Sequence, residues 1–259
     1  MDRKPRILLS NDDGINAPGL AALRDEIGKI ADVTIVAPDS EKSAVGHAIT
    51  LSDPLRVWDF KKDGRFFGYA VNGTPADCVK IAYWALLKEK PDLIISGINL
   101  GSNSGINAIY SGTVSAATEG TILRVPSFAV SLTTYVDPDF RYAAQFASRM
   151  AGLVLKRGLP EGTLLNINVP PVPAAKIAGV RVTRQGQSTY LEHFDKRTDP
   201  ANRVYYWLAG KKVEVEEDLD VDDYAIKQDM VSITPLRYDL TDYEFLSELK
   251  CWDMVTPVS

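Results

Sequence analysis

Two adjacent carboxylates, Asp12 and Asp13, follow a short apolar run near the start of the chain and precede Gly14. Neighbouring carboxylates repel each other, and burial increases that repulsion, so a bound divalent cation is the usual compensation. Their hard oxygen atoms suit Mg²⁺ or Mn²⁺. The alternative interpretation is an ordinary turn, because Asn-Asp-Asp-Gly is favourable turn chemistry in any protein.

Two further polar loops offer neutral ligands and groups that could meet an anion. Ser43 lies in the long polar loop 38–47 and could offer its hydroxyl to a metal, and Asn99 lies in a Gly- and Asn-rich segment and could offer its amide oxygen. Lys42 and His47 could contact an anionic substrate. The alternatives are a solvated loop for Lys42, a structural hydrogen bond for His47 and a flexible connector around Asn99.

Small hydroxyl residues follow at what the sequence predicts to be a helix start, around Ser111 and Thr113. Free backbone amides, the positive end of the helix dipole and hydroxyl donors together form an anion site. The segment lacks the lysine of a Walker loop, which argues against that type of nucleoside-triphosphate binding. Ordinary capping is the alternative. Taken together, a cation site beside an anion site indicates metal-assisted phosphoryl chemistry.

Strands and helices alternate over the first two-thirds of the chain and must position these loops. Near-continuous apolar strands separated by helical patterns predict an α/β fold with a parallel sheet covered on both faces. In such a sheet the ligand binds beyond the carboxyl ends of the strands, which is where the polar loops follow. The expected strands are 6–10, 33–37, 92–96, 127–131 and 164–169, and the expected helices are 16–30, 74–86 and 141–156.

The sequence pattern changes after Pro173. Short predicted strands there indicate a β-rich extension in the form of a long hairpin arm. The expected elements there are strands 180–184, 204–208 and 231–235 and a helix over 242–249. Aromatic residues alternate with charged ones along this arm, and we expect them to bury against another subunit, since exposed rings are costly. The alternative is that they pack on their own core. The aromatic residues are Tyr190, Phe194, Tyr205, Tyr206 and Trp207.

Composition limits the remaining function classes. The chain has 259 residues, a formal net charge of −5, two histidines and two cysteines. The acidic balance argues against general binding of nucleic-acid duplexes, and two cysteines argue against a disulfide scaffold or a cysteine-rich zinc site. We expect a cytoplasmic protein with no membrane span. A dinucleotide-dependent oxidoreductase is excluded, because the first loop lacks the required glycine pattern.

Several motifs in this order resemble the SurE family, the stationary-phase survival proteins that act as 5′/3′-nucleotidases. The likeness covers nearly the whole chain and is carried by Asn11-Asp12-Asp13-Gly14, Ala37-Pro38-Asp39 leading to Ser43, Gly73-Thr74-Pro75-Ala76-Asp77-Cys78, Ser96-Gly97-Ile98-Asn99, Tyr110-Ser111-Gly112-Thr113, Thr183-Arg184-Gln185-Gly186 and Ser232-Ile233-Thr234-Pro235.

The resemblance implies a metal-dependent phosphomonoesterase that hydrolyses nucleoside 5′- and 3′-monophosphates, with polyphosphate as a further substrate. It also implies a Rossmann-like three-layer core with a mainly parallel sheet, and a C-terminal arm that is exchanged between the subunits of a homodimer or homotetramer. We accordingly expect a catalytic core over 1–180 and an arm and C-terminal segment for oligomerisation over 181–259. The implied ligands of one Mg²⁺ or Mn²⁺ per subunit are Asp12, Asp13, Ser43 and Asn99. The implied phosphate-binding residues are Asn99, Asn103, Ser111, Gly112 and Thr113.

Two questions about the chemistry stay open at this point. Asp12 and Asp13 are the expected catalytic residues, with water attacking phosphorus in line and one of the acids serving as ligand and base. A covalent aspartyl-phosphate is the rival chemistry, although adjacent acids after a strand point in different directions. The alternative function is a non-catalytic module that senses a nucleotide or phosphate in the same cleft.

Overall fold

The structure is a computed structural model that describes residues 3–213 and 216–252, without the side chains of Thr189 and Tyr190. The strands are β1 (Arg6–Ser10), β2 (Asp32–Pro38), β3 (Val57–Lys62), β4 (Arg65–Val71), β5 (Leu93–Leu100), β6 (Ser127–Leu132), β7 (Thr163–Val169), β8 (Gly179–Val182), β9 (Thr189–Thr198), β10 (Val204–Val213) and β11 (Met230–Arg237). The helices are α1 (Pro18–Ile27), α2 (Pro75–Ile81), α3 (Asn107–Tyr110), α4 (Gly112–Ile122), α5 (Arg141–Arg157), α6 (Asp222–Lys227) and α7 (Tyr243–Leu249), and a π-helical turn over Ala82–Leu86 follows α2.

A nine-stranded sheet forms the centre of the fold, with the strand order β3-β4-β2-β1-β5-β6-β7-β11-β8. The strands from β4 to β7 run parallel, whereas β3 and β11 pair antiparallel with β4 and β7. Strand β1 lies between β2 and β5, so the loops that follow these three strands meet at one edge of the sheet. The α/β prediction with a mainly parallel sheet is confirmed.

Helices cover both faces of the sheet and give three layers. On one face, α1 and α5 pack together over a core that includes Leu20 and Ala147. On the other face, α2 and α4 pack together over a second cluster that includes Val79 and Ala116. Both clusters also contain strand residues that are fully buried, such as Leu9 on the first face. This two-sided burial is why the strands read as continuous apolar runs.

The predicted start of α2 forms as its sequence indicates. The Thr74 hydroxyl accepts a hydrogen bond from the Asp77 amide at 3.1 Å, and the Asp77 carboxylate accepts one from the Thr74 amide at 2.9 Å. Together they form a reciprocal capping box, and Pro75 occupies the first helical position, where it costs no hydrogen bond. Asp77 also accepts hydrogen bonds from the amide and hydroxyl of Thr50, which ties the long loop after β2 to this helix.

The structure differs from the sequence expectations in two places. The antiparallel pair β3–β4 was not expected, and it extends the sheet beyond β2. Strands β8 and β11 lie after residue 178, yet both belong to the main sheet, so part of the segment 181–259 completes the core rather than standing apart from it. The division at residue 180 stays a prediction as a statement about separate roles.

The hairpin of β9 and β10 forms a separate two-stranded sheet, in agreement with the expected arm. The side chains of Phe194 and Trp207 are 66% and 60% exposed, and Tyr205 and Tyr206 are exposed as well. The prediction for Tyr190 concerns a side chain that lies outside the described part of the structure. Within the described part of the chain, no helix is long and apolar enough to cross a membrane.

Candidate active site

The loops after β1, β2 and β5 and the segment before α4 surround one cavity of about 360 Å³ at the carboxyl edge of the sheet. Its size lies in the range of small-ligand sites. The lining residues are Asp12, Asp13, Glu41, Ser43, Ala44, Asn99, Leu100, Ser102, Asn103, Asn107, Tyr110, Ser111 and Tyr135. The sequence-predicted Asp12, Asp13, Ser43, Asn99, Asn103 and Ser111 are therefore brought together.

Asp12 and Asp13 form the acidic floor of this cavity. Asp12 is 6% exposed, and its burial raises the pKa of its carboxyl. Burial, followed by the negative charge of Asp12, raises the pKa of Asp13 to about 7. Among the residues that the structure describes, neither carboxylate has a Lys, Arg or His partner in an ion pair. The two acids thus form a site of uncompensated negative charge.

The start of α4 packs directly against Asp12. The Thr113 hydroxyl donates to Oδ1 of Asp12, and this hydrogen bond opposes the effect of burial on the pKa of Asp12. A Cβ atom on Gly112 would lie 2.7 Å from Cβ of Asp12, so only glycine fits there. Gly112 and Thr113 are buried behind Ser111 and do not line the cavity. Gly112 allows the start of α4 to approach Asp12 closely, and the Thr113 hydroxyl holds its carboxylate in place.

The loop after β2 closes over the acids. The amide of Lys42 donates to the carbonyl of Asp12 at 2.8 Å, and the amide of Gly46 donates to the carbonyl of Tyr110 at 3.0 Å. These two bonds fix the loop to the loop after β1 and to the end of α3. The Ser43 hydroxyl faces the same cavity and donates to Oε1 of Glu41 at 2.5 Å. The ammonium group of Lys42 pairs with Asp39 at 4.0 Å and does not line the cavity.

Two asparagines, Asn99 at the end of β5 and Asn103 in the loop that follows, are held in fixed orientations. The side-chain amide of Asn99 donates to the carbonyls of Leu100 and Gly101 at 3.0 and 2.9 Å, which leaves its oxygen as the group available to a ligand. Asn103 donates from its side chain to Ser131 at 2.9 Å. Both residues are buried and line the cavity.

Ser111 marks the beginning of α4 at the cavity wall. Its hydroxyl accepts a hydrogen bond from the amide of Val114 at 3.0 Å, so the capping role that the sequence left open is present. The same hydroxyl carries a hydrogen that remains available for donation, because an acceptor role uses only a lone pair. The positive end of the α4 dipole therefore meets the cavity beside the two acids.

His47 lies outside the cavity lining. Its Nε2 is 3.0 Å from Oε2 of Glu119, a buried residue of α4, and the ammonium group of Lys80 lies 2.5 Å from the other carboxylate oxygen. This arrangement gives His47 a structural hydrogen bond and favours that interpretation over proton transfer to a leaving group.

Sequence reasoning missed seven lining residues as site residues: Glu41, Ala44, Leu100, Ser102, Asn107, Tyr110 and Tyr135. Glu41 and Tyr110 lie in the polar loops that the sequence singled out, so proximity to Ser43 and Ser111 was an available signal. Tyr135 follows β6, the next strand after β5 in the sheet, and the rule that ligands bind at strand ends could have found it.

The donor set fits a divalent cation held by oxygen atoms. One buried and one half-buried carboxylate, neither with a cationic partner among the described residues, a hydroxyl and an amide oxygen are ligand types that Mg²⁺ and Mn²⁺ accept. Across residues 3–213 and 216–252 there is no group of three or more His, Cys, Asp or Glu side chains that could by itself hold a metal ion. A site here depends on Ser43 and Asn99 in addition to the two acids.

Comparison with known proteins identifies the family of the chain. The family model described as Survival protein SurE matches residues 7–192. The chain belongs to the SurE family. A curated SurE relative from Syntrophus aciditrophicus (strain SB), named 5′-nucleotidase SurE, is 55% identical over 246 residues, which cover 95% of this chain and 92% of that protein. A protein of the same name from Syntrophobacter fumaroxidans is 49% identical over 96% of this chain and 100% of its own length.

A solved SurE structure shares the fold as well. The crystal structure of SurE protein from Aquifex aeolicus superposes with a TM-score of 0.83 at 41% sequence identity. The alignment covers 95% of this chain and 98% of that chain. The similarity to the SurE family therefore extends through the C-terminal third, beyond the part matched by the family model.

Proposed function

We propose that this chain is a 5′-nucleotidase, a phosphomonoesterase that hydrolyses nucleoside 5′- and 3′-monophosphates with the help of a divalent cation. The observation that carries the proposal is the pair of adjacent carboxylates, buried Asp12 and half-buried Asp13, which line a cavity of about 360 Å³ and pair with no cationic side chain among the described residues. The names of the curated SurE relatives, which are 46–55% identical, support the substrate class.

Asp12, Asp13, Ser43 and Asn99 would hold one Mg²⁺ or Mn²⁺. When bound, such a cation supplies a Lewis acid for a phosphoryl oxygen and lowers the pKa of bound water. Asp12 is oriented for this role by Thr113, and Asn99 by the two carbonyls that accept from its amide. Because Asp12 is committed to Thr113, Asp13 is the acid that we assign as base for an attacking water.

The phosphate would lie between the cation ligands and the start of α4. Ser111 donates its hydroxyl there, Asn103 reaches the same cavity, and the first amides of α4 add the positive end of the helix dipole. Gly112 and Thr113 contribute to phosphate binding through their backbone at the start of α4 and through their contacts with Asp12. These described donors favour binding of an anion, although none of them is a basic side chain.

The arm is proposed to bury its apolar side chains against another copy of the chain. Phe194 and Trp207 lie on a two-stranded sheet that protrudes from the core, and exposed rings of this size favour association. A homodimer or homotetramer would remove this surface from water. The strand pair alone is too small to be stable by itself.

We also propose a cytoplasmic location. Both cysteines are free, with Cys78 buried and Cys251 exposed, as expected in a reducing compartment. Fractionation of cells that express the protein tests this, and recovery in the membrane or secreted fraction would contradict it.

The test of the proposed function is phosphate release from AMP, from a nucleoside 3′-monophosphate, from polyphosphate and from p-nitrophenyl phosphate. Each is measured with Mg²⁺, with Mn²⁺ and after removal of metals with EDTA. We expect turnover of both nucleotides that depends on the cation. Tight binding of AMP with no phosphate release would support a sensing module instead, and undiminished turnover after EDTA treatment would refute the cation site.

A further inference from the structure

The first two residues of α6, Asp222 and Asp223, are buried acids that lie outside the cavity described above. Asp223 is 8% exposed and accepts hydrogen bonds from three different parts of the chain. Its Oδ1 accepts from the hydroxyl of Ser104 and from the ammonium group of Lys212, the latter at 2.5 Å. Its Oδ2 accepts from the hydroxyl of Ser188 at 2.5 Å. One carboxylate thus joins a core helix, the loop after β5 and the arm.

Asp222 accepts hydrogen bonds from backbone amides in the same segments, next to the partners of Asp223. Its Oδ2 accepts from the amide of Gly105 at 2.9 Å, and its Oδ1 accepts from the amides of Gly186 and Asp223 at 2.9 and 2.8 Å. The side chain of Gln185 adds a bond to the carbonyl of Gly105 at 2.8 Å. The Gln185-Gly186 motif does not line the cavity, and its residues are instead part of this contact.

The contact is closely packed as well as hydrogen-bonded. A Cβ atom on Gly105, whose φ is +56°, would lie 2.1 Å from Oγ of Ser188 and 2.8 Å from Oδ2 of Asp223. A Cβ atom on Gly186 would lie 2.9 Å from Oδ1 of Asp222. Neither position has room for a side chain, so the loop after β5 has little freedom to shift against the acids. We call Ser104, Gly105, Gln185, Gly186, Ser188, Lys212, Asp222 and Asp223 the loop–arm junction.

The other side of the same loop faces the cavity. Asn103 immediately precedes the junction, and the sheet holds its backbone: its amide donates to Asn168 at 2.9 Å and its carbonyl accepts from Asn166 at 2.6 Å. The lining residues Ser102 and Asn103 are consequently fixed from the sheet on one side and from the junction on the other.

We propose that Asp223 is a positioning residue for phosphate binding, which acts through Ser104 to fix Ser102 and Asn103 and which links them to both strands of the arm. Ser188 directly precedes β9, and Lys212 lies near the end of β10, so the base of the arm reaches the cavity loop through this carboxylate, and Lys212 also donates directly to the Ser104 hydroxyl at 3.3 Å. The inference rests on the proposed function in that it assigns the cavity a phosphate ligand.

The experiment compares Asp223→Asn, Ser104→Ala and the double variant with Asp220→Asn as the matched control, since Asp220 is an exposed acid of the same segment. A small misplacement of a binding group can cost about 100-fold in rate, so we expect kcat/KM for p-nitrophenyl phosphate to fall about 10- to 100-fold. Most of this decrease should come from a higher KM and less of it from a lower kcat, because the contacts to phosphate are already made in the bound substrate before it reacts. The cation concentration for half-maximal activity should stay unchanged.

The double variant decides whether Asp223 acts through Ser104. We expect it to be no worse than the more affected single variant, because both changes remove the same Ser104–Asp223 hydrogen bond. Additive losses, or equal shifts in KM and in the cation requirement, would overturn the proposal in favour of a general structural role. Ser188→Ala provides a milder variant if Asp223→Asn does not fold, and a wild-type KM in both serine variants would also overturn it.

Two measurements without turnover separate this inference from the proposed function. Backbone amide exchange over residues 101–106 should be faster in Asp223→Asn than in Asp220→Asn, and inorganic phosphate alone should bind more weakly by calorimetry. If the wild type releases no phosphate from any substrate but these shifts occur, the proposed function fails and the positioning role stands. If turnover is present and neither shift occurs, the positioning role fails and the function stands.

Discussion

Thr113, the second residue of α4, donates its hydroxyl to Oδ1 of Asp12, and both side chains are buried. The sequence suggested Thr113 as part of a phosphate-binding segment, whereas the structure commits its hydroxyl to a carboxylate. A helix start therefore serves the site in two ways: Ser111 faces the cavity and Thr113 orients the acid behind it.

Replacement of Thr113 by valine should weaken the cation site while leaving the shape of the site nearly intact. Partners of ligand residues typically contribute about 10- to 100-fold to metal affinity or activity, and we expect a loss of that size. Thr113→Ser keeps the hydroxyl and should retain most of the activity. The measurement is the cation concentration for half-maximal phosphate release, and an unchanged value in Thr113→Val would contradict the role given to this hydrogen bond.

Asp12→Asn and Asp13→Asn should each reduce turnover by more than about 100-fold, since loss of a ligand exceeds loss of a ligand's partner. Asp25→Asn, a change of an exposed acid in α1, is the control. The metal-free variants should melt at the same temperature as the wild type or higher at alkaline pH, because one of two repelling charges is gone. Near-normal rates in either site variant would reject this site.

The placement of Asp12, Asp13, Ser43 and Asn99 around one cavity was predictable because it follows from topology. Apolar strands followed by polar loops indicate a parallel sheet, and the carboxyl ends of adjacent parallel strands share an edge. The prediction assumed only that β1 lies between β2 and β5, and the strand order of the sheet shows this arrangement. Residue type and order along the chain were sufficient for this part.

The rest depends on contacts between segments that are distant in sequence. The junction of Ser104 with Asp223 spans 119 positions, and nothing in the acidic composition near Asp223 indicates which acid is buried. The hairpin β3–β4 is different, because Asp63-Gly64 between alternating strands is a turn signal that was present in the sequence. The hairpin was not predicted from this signal because it follows the long polar segment after β2.

The stability of the metal-free protein should depend on pH through Asp13. Its pKa is raised to about 7 in the folded state against a usual value of 3.8, so the folded state holds the proton more tightly. The contribution of Asp13 to the free energy of unfolding should therefore decrease as pH rises from about 4 to above 7. A cation that displaces this proton should stabilise the protein more at about pH 8 than at about pH 5.

Thermal melting with and without Mg²⁺ at the two pH values measures this. At a hundredfold excess over Kd, the melting temperature should rise by roughly 5–10 °C at the higher pH. Asp13→Asn should show a smaller shift with less dependence on pH. An equal shift at both pH values in the wild type would disprove the coupling.

Charged substitutions on the arm should disrupt assembly and leave the core folded. Phe194 and Trp207 are exposed in the single chain and lie on adjacent strands of the hairpin, so Phe194→Lys and Trp207→Lys place charges in the proposed contact. Light scattering at micromolar concentration should show the wild type as an oligomer and these variants as smaller species. Lys196→Glu, at the position opposite Tyr206, changes the charge of the arm without removing a ring and serves as the control.

A monomeric wild type would refute the arm contact. If the Phe194 and Trp207 variants became monomeric with unchanged KM, the arm would serve assembly alone. A raised KM in those same variants would instead indicate that the arm influences the cavity through Ser188, Lys212 and Asp223.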